Sequence, residues 1–315
     1  MRIALLLYTG LWFILLPVVI AYIYWRARRD PRYSKHLRER FGNYPTTCRN
    51  AVWVHAVSLG EMRAAAPLIR ALIDQGETVV TTHFTPAGRE AAQNMFAAEC
   101  DTGQLVPIYV PLEFDWIYRR FFNAFTPKYG LVMEIEMWPR MIASAKRHGI
   151  PLFMCNGHYP EKSFQRDKKR AGLRGQLVTG FTGLLIKSVP DAERFKAFGA
   201  RNVMVTGELR FDQIIPPNLT SAADTLLQSQ PKIGDRAVVT ITSAVEGEDE
   251  LYIEAIHRIQ KDYAATNRPA PLFIYVPRAP ERFAHVGQLL EGAGLSVIRR
   301  STAFDQGLAP QGKFD

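Results

Sequence analysis

The sequence predicts an α/β chain with two successive Rossmann-like domains, the second incomplete, behind an N-terminal transmembrane helix. Three observations predict it. Short β-rich apolar runs alternate with amphipathic segments from Ala51 onward. Those runs are apolar on both faces, as strands of a parallel sheet covered by helices must be. The first segment is uncharged from Ile3 to Trp25. With 315 residues, 47% of them apolar and 22% charged, the chain has material for one large or two ordinary domains and lacks the composition of a disordered one.

The first element, IALLLYTGLWFILLPVVIAYIYW, is long enough to cross a hydrocarbon core of about 30 Å as a helix. A secretory signal would have a shorter apolar core and a small-residue cleavage site. RARRDPRYSKHLRER follows, with seven Lys/Arg against two acids, whereas only Arg2 and the start amine precede. The positive-inside rule then puts the amino end outside and the rest of the chain in the cytoplasm, a single-pass arrangement with Tyr22, Tyr24 and Trp25 in the headgroup belt. A buried hairpin or a hydrophobic helix docked on the protein is the other reading.

That basic flank accounts for part of the formal charge of +9 and would be drawn to anionic membrane lipids. Nucleic acid is not expected as a partner: aromatics are not interleaved with the basic runs, and no zinc or helix-turn-helix spacing appears. Cys48, Cys100 and Cys155 lie far apart, as in a reduced compartment with no metal site.

Seven strand candidates follow: AVWVHAV, TVVTTHF, LVPIYV, YGLVMEIE, PLFMCN, GLLIKS and NVMVTG. Between them lie helical patterns such as MRAAAPLIRALIDQG, PAGREAAQNMFAAE, EFDWIYRRFFNAF and MIASAKRHG. After the Pro-rich joint GELRFDQIIPPNLT the alternation restarts with AVVTITSA, PLFIYVPR and LSVIRR as strands, and STAFDQGLAPQGKFD is aperiodic and expected to be loose. The boundaries are 1–28 for the anchor and its flank, 29–212 for the first domain and 213–315 for the partial second.

Four constellations could carry chemistry. Ser58-Leu59-Gly60-Glu61 is a capping box, S-x-x-E, at the start of a helix. Glu61 also lies just past a strand's carboxyl end, where ligands of parallel sheets gather, and Gly60 allows close backbone approach. Glu134 and Glu136 in MEIEMWPR are two apart at another strand end, expected on one face, with Trp138 and Pro139 starting the next helix. Paired carboxylates are costly unless solvated, paired or used. Lys162, Arg166, Lys168, Lys169, Arg170 and Arg174, with Arg210 of GELRFD, are a solvated face or the binding surface of an anionic acceptor. Ser243, Glu246, Gly247, Arg278 and Arg282 fall at strand ends of the second domain, where an anionic nucleotide would meet helix N-termini. No dinucleotide or P-loop glycine motif occurs, and His55, inside the first strand, reads as a packed core histidine.

Taken in order, the basic-flanked anchor, HAVSLGE, TTHFTPAG, VPLEFDW, EIEMWP, GELRFD, EGEDE and VPRAPERF resemble the 3-deoxy-D-manno-octulosonic acid (Kdo) transferases over nearly the whole chain. The resemblance implies an inverting GT-B enzyme without metal or cofactor, moving Kdo from CMP-Kdo to a lipid A precursor at the cytoplasmic face of the cell inner membrane. It implies Glu61 as general base with Glu134 and Glu136 beside it, and Ser58, Gly60, Trp138, Lys162, Arg166 and Arg210 on the acceptor side. Donor binding falls on Ser243, Glu246, Gly247, Glu248, Arg278 and Arg282. The chain departs from the family pattern at His158, Pro160, Glu208, Val245 and Ala279, and the family's later G-G-H-N-x-L-E-P type motif is not in the sequence. It therefore reads as a shortened or divergent member. A catalytically silent membrane-anchored paralogue that binds anionic glycolipid or a partner enzyme is the alternative.

Overall fold

A computed structural model describes residues 2–169, 171–229, 236–305 and 309–311. The chain divides into two compact units, Met1–Ile214 and Ile215–Asp315. In the first, every expected strand forms: β1 (Val52–His55), β2 (Val79–His83), β3 (Leu105–Tyr109), β4 (Tyr129–Met133), β5 (Leu152–Gly157), β6 (Gly183–Ile186) and β7 (Val203–Val205). They make one parallel sheet in the order β3-β2-β1-β4-β5-β6-β7.

The sheet has a core on each face because its strands alternate two apolar sets. Val52 and Val54 pack with Met62, Ala65 and Ile69 of α2 (Leu59–Asp74) and Ala92 of α3 (Pro86–Met95). Trp53 points the other way. Its ring lies 4.9 Å from that of Phe121 in α5 (Asp115–Phe125). A Cβ on Gly130 would come within 2.8 Å of the same indole, so the strand beside Trp53 needs glycine there. The pattern over 86–99 forms two helices, α3 and the short α4 (Ala97–Asp101), divided at Phe96. The remaining helices of the unit are α6 (Pro139–Arg147), α7 (Glu161–Lys168), α8 (Ala171–Val178) and α9 (Val189–Lys196).

The first helix, α1 (Arg2–Ala27), belongs to this unit and packs on it. The basic flank is also partly internal. Glu39 and Arg40 are buried; Glu39 pairs with Arg89 at 2.9 Å, and the Arg40 guanidinium lies 4.2 Å from the Tyr109 ring centre. Arg28, Arg29, Lys35 and Arg38 remain exposed.

In the second unit β8 (Val238–Ala244) and β9 (Leu272–Pro277) pair in parallel, with α10 (Pro217–Ser229), α11 (Asp249–Ala265), α12 (Phe283–Gly292) and the short α13 (Arg300–Ala303). The third expected strand, LSVIRR, does not form. Leu295 and Val297 instead pack on the cluster of Ile256, Val286 and Leu290, so these two are used in helix packing without a ladder. The tail is not wholly loose, since α13 and an isolated bridge between Phe304 and Pro310 lie within it.

Candidate active site

The strand order reverses between β1 and β4, so the loops leaving their carboxyl ends diverge and open a crevice between them. Glu61 enters from the β1 side and Glu134 and Glu136 from the β4 side. Their separation in sequence is erased by the parallel pairing of the two strands.

Ser58 caps α2. Its Oγ accepts the Glu61 N–H at 3.3 Å, and the Glu61 carboxylate accepts the N–H groups of Ser58, at 3.3 Å, and of Val57. Glu61 is 8% exposed. Burial, then the charges of Glu136 and Glu134, push its pKa up to about 7 against the pull of the two backbone donors. A carboxyl group so placed is half ionised near neutrality, the condition in which it can accept a proton from a hydroxyl. Gly60 faces open space, with only Ser58 Oγ near, at 3.9 Å. Gly88 is more constrained, since a Cβ there would meet the Ser58 carbonyl carbon at 3.1 Å.

Glu134 and Glu136 do not share a face of the strand as expected. β4 ends at Met133, and Glu134 takes a left-handed backbone, φ 56°, which turns the chain off the strand and gives the two carboxylates different partners. Glu134 meets Arg210 Nη2 at 3.5 Å and Lys187 Nζ at 3.6 Å. Glu136 accepts from the Trp138 indole N–H, and burial raises its pKa. The Trp138 ring stands edge-on to His55 at 5.5 Å. His55 is fully buried, bonded through Nδ1 to Thr82 Oγ1 at 2.8 Å and held neutral by burial, its pKa pushed down to about 3. It is a packed core residue, as read from the sequence.

Sequence reading gives three participants no role in the site, Glu208 standing there only as a departure from the family pattern. Lys187 Nζ lies 2.7 Å from Glu208, Glu208 accepts from Asn156 Nδ2 at 2.9 Å, and Asn156 Oδ1 accepts the Leu209 N–H at 3.0 Å. Each residue stands at or just past a strand end on one rim, and that shared position was the available signal. This lattice fixes the turn at 209–212 that carries Arg210.

The basic run on α7 and α8 is partly spent elsewhere. Arg166 and Arg174 both reach the buried Asp167, at 3.2 and 2.6 Å, and Lys168 covers the Phe164 ring. Lys162 and Lys169 are exposed, and Arg170 lies outside the described residues.

In the second unit Ser243, at the register shift near the end of β8, and Gly247, in the loop before α11, have left-handed backbones, φ 60° and 89°. Glu248 accepts the Val245 N–H at 3.0 Å. Arg282 is committed internally, to Ala244 O at 2.7 Å and to the buried Asp249. Tyr275 also donates to Asp249, at 2.8 Å. Asp249 was not singled out from the sequence. Arg278 and Glu246 are exposed at the same end of the strands.

Residues 35–213 match the family described as 3-Deoxy-D-manno-octulosonic-acid transferase (kdotransferase). The chain is 35% identical to the 3-deoxy-D-manno-octulosonic acid transferase of Bordetella pertussis, covering 91% of this chain and 67% of that one. It is 30% identical to the Haemophilus influenzae protein of the same description, covering 94% and 68%. It thus spans about two thirds of the length of these relatives. Among solved structures, UDP-GlcNAc 2-epimerase from Neisseria meningitidis bound to UDP-GlcNAc superposes with a TM-score of 0.52 at 16% identity, covering 77% of this chain and 69% of that one. That likeness bears on the fold alone, which is GT-B-like.

Proposed function

This chain belongs to the Kdo transferase family, and from that premise we propose that it transfers Kdo from CMP-Kdo to a hydroxyl of a lipid A precursor, with inversion, at the cytoplasmic face of the inner membrane. The observation that carries the reading is Glu61, buried at the switch point of the sheet with its pKa pushed up to about 7. In the reaction the acceptor oxygen forms a bond to the anomeric carbon of Kdo as the bond from that carbon to the CMP phosphate oxygen breaks. The hydroxyl proton goes to Glu61, and CMP leaves with the bonding electrons.

Glu136 and Glu134 keep Glu61 basic enough to take that proton, while Lys187, Arg210 and Glu208 hold Glu134 in place. Arg210, with Lys162, is the cationic side of the rim toward an anionic acceptor. Ser58 and Gly60 shape the approach to Glu61, and Trp138 offers an apolar wall. Ser243, Glu246, Gly247, Glu248 and Arg278 are assigned to the nucleotide sugar, and Arg282 to holding their loop.

The test is transfer from CMP-Kdo to a lipid A precursor by the detergent-solubilised chain, beside Glu61→Ala. Transfer by the wild type and none by the variant supports the assignment. Equal transfer by both removes Glu61 as base, and no transfer by the folded wild type removes the activity.

A further inference from the structure

The α1 helix is apolar all round, yet it is not free on all sides. Its inward stripe touches the first unit between Leu5 and Leu16. Arg140 Nη2 donates to Leu5 O at 3.0 Å and also to Thr9 Oγ1, and Tyr8 donates to Glu113 at 3.2 Å. Trp12 and Leu16 pack on Leu112, Phe114 and Ile117, and Ile23 is buried. The opposite stripe is bare, with Leu7 72% and Ile14 74% exposed.

Glu113 is the socket for this contact. Fully buried, it accepts the Arg140 and Met141 N–H groups at the start of α6 and the hydroxyls of Tyr118 and Tyr8. A helix crossing the bilayer could touch a cytoplasmic body only near its inner end. Here the contacts of Glu113 and Arg140 fall at the amino end, and crossing while docked would carry both ionisable groups into the hydrocarbon, at several kcal/mol or more.

We propose that α1 lies along the membrane surface, between lipid and the first unit, and does not cross. All-round apolarity suits a helix with protein on one side and acyl chains on the other, and the exposed Arg28, Arg29, Lys35 and Arg38 match anionic headgroups. Trp138 caps α6, the helix that docks α1, so the lipid contact and the catalytic rim share one element. The inference rests on the membrane location proposed above.

The test is depth. Nitroxides are placed at Leu7→Cys, Ile14→Cys and Ala21→Cys, one stripe at seven-residue spacing, with Cys48, Cys100 and Cys155 replaced by Ser. The full chain is bound to vesicles of phosphatidylethanolamine and phosphatidylglycerol. Equal depths at the three positions are expected. A crossing helix would place Ile14 deepest, with the other two about 10 Å nearer the surfaces at 1.5 Å per residue; that result overturns the inference and leaves the membrane location standing. No lipid contact at any position overturns both, including the case in which spin–spin coupling shows a second copy covering the stripe.

Discussion

Glu61 and Ser58 are joined by two reciprocal hydrogen bonds, Glu61 N–H to Ser58 Oγ and Ser58 N–H to the Glu61 carboxylate, each 3.3 Å. The proposed base is therefore also the helix cap, and the two roles pull against each other with pH. Capping uses the carboxylate as acceptor whatever its charge. Burial beside Glu136 penalises the charged form that the chemistry requires.

Glu61→Gln separates the roles, since its amide oxygen can still accept from the cap backbone. With a folded-state pKa of about 7 against the ordinary 4.5, the neutral carboxyl is what folding favours. That stability is fully present below pH 4.5 and lost as the pH rises through 7. The permanently neutral variant keeps it, so at pH 8 Glu61→Gln is expected to be more stable than wild type by on the order of 2 kcal/mol, with the gap closing below pH 5 and transfer abolished. Urea titrations at pH 5 and 8 check the sign; a variant less stable than wild type at pH 8 contradicts it.

Glu136→Gln removes the larger of the two carboxylate charges that raise the Glu61 pKa. The acid limb of kcat/KM, expected with an apparent pKa of about 7, should move to lower pH. Activity at pH 6 relative to pH 8 then rises, even if the maximum falls through loss of the Trp138 contact. An acid limb that stays in place in the variant means that Glu136 does not set the base.

The parallel sheet was legible because each strand is a short run apolar on both faces, bounded by polar turns; Val52 to His55 is buried throughout. The place of Glu61 was legible because the S-x-x-E capping box and the strand end both mark it. The turn that takes Glu134 and Glu136 off the strand was not, because it depends on a left-handed glutamate that no local pattern announces. Lys187, Asn156 and Glu208 are ordinary in GLLIKS, PLFMCN and GELRFD, and meet only because β5, β6 and β7 lie side by side. LSVIRR has the composition of a strand, but its Leu295 and Val297 are taken up by the cluster that α11 and α12 form.

The same left-handed turn supplies a test of function against stability. A glutamate at φ 56° carries a backbone cost on the order of 1 kcal/mol that glycine would not. Glu134→Gly relieves it and loses the contacts to Lys187 and Arg210, which are long at 3.6 and 3.5 Å. The variant is expected within about 1 kcal/mol of wild type in stability, with transfer reduced at least tenfold. Unchanged transfer would show that Glu134 is only a turn residue.

Arg278 and Arg282 stand four apart in VPRAPER, equally basic, and the fold gives them different work. Arg282 is half-enclosed, its guanidinium bonded to Ala244 O and Asp249, so truncation leaves a buried carboxylate with Tyr275 alone as its side-chain donor among the described residues. Breaking a buried pair from one side costs on the order of 3 kcal/mol, and Arg282→Ala should lower stability by that scale. Arg278 is exposed, and Arg278→Ala should leave the melting temperature within a degree or two while raising KM for CMP-Kdo about tenfold, the loss of one charged contact to a phosphate. Thermal melts and donor titrations on the two variants read these apart. A raised donor KM in a stable Arg282→Ala protein would reverse the assignment and put Arg282, not Arg278, on the nucleotide.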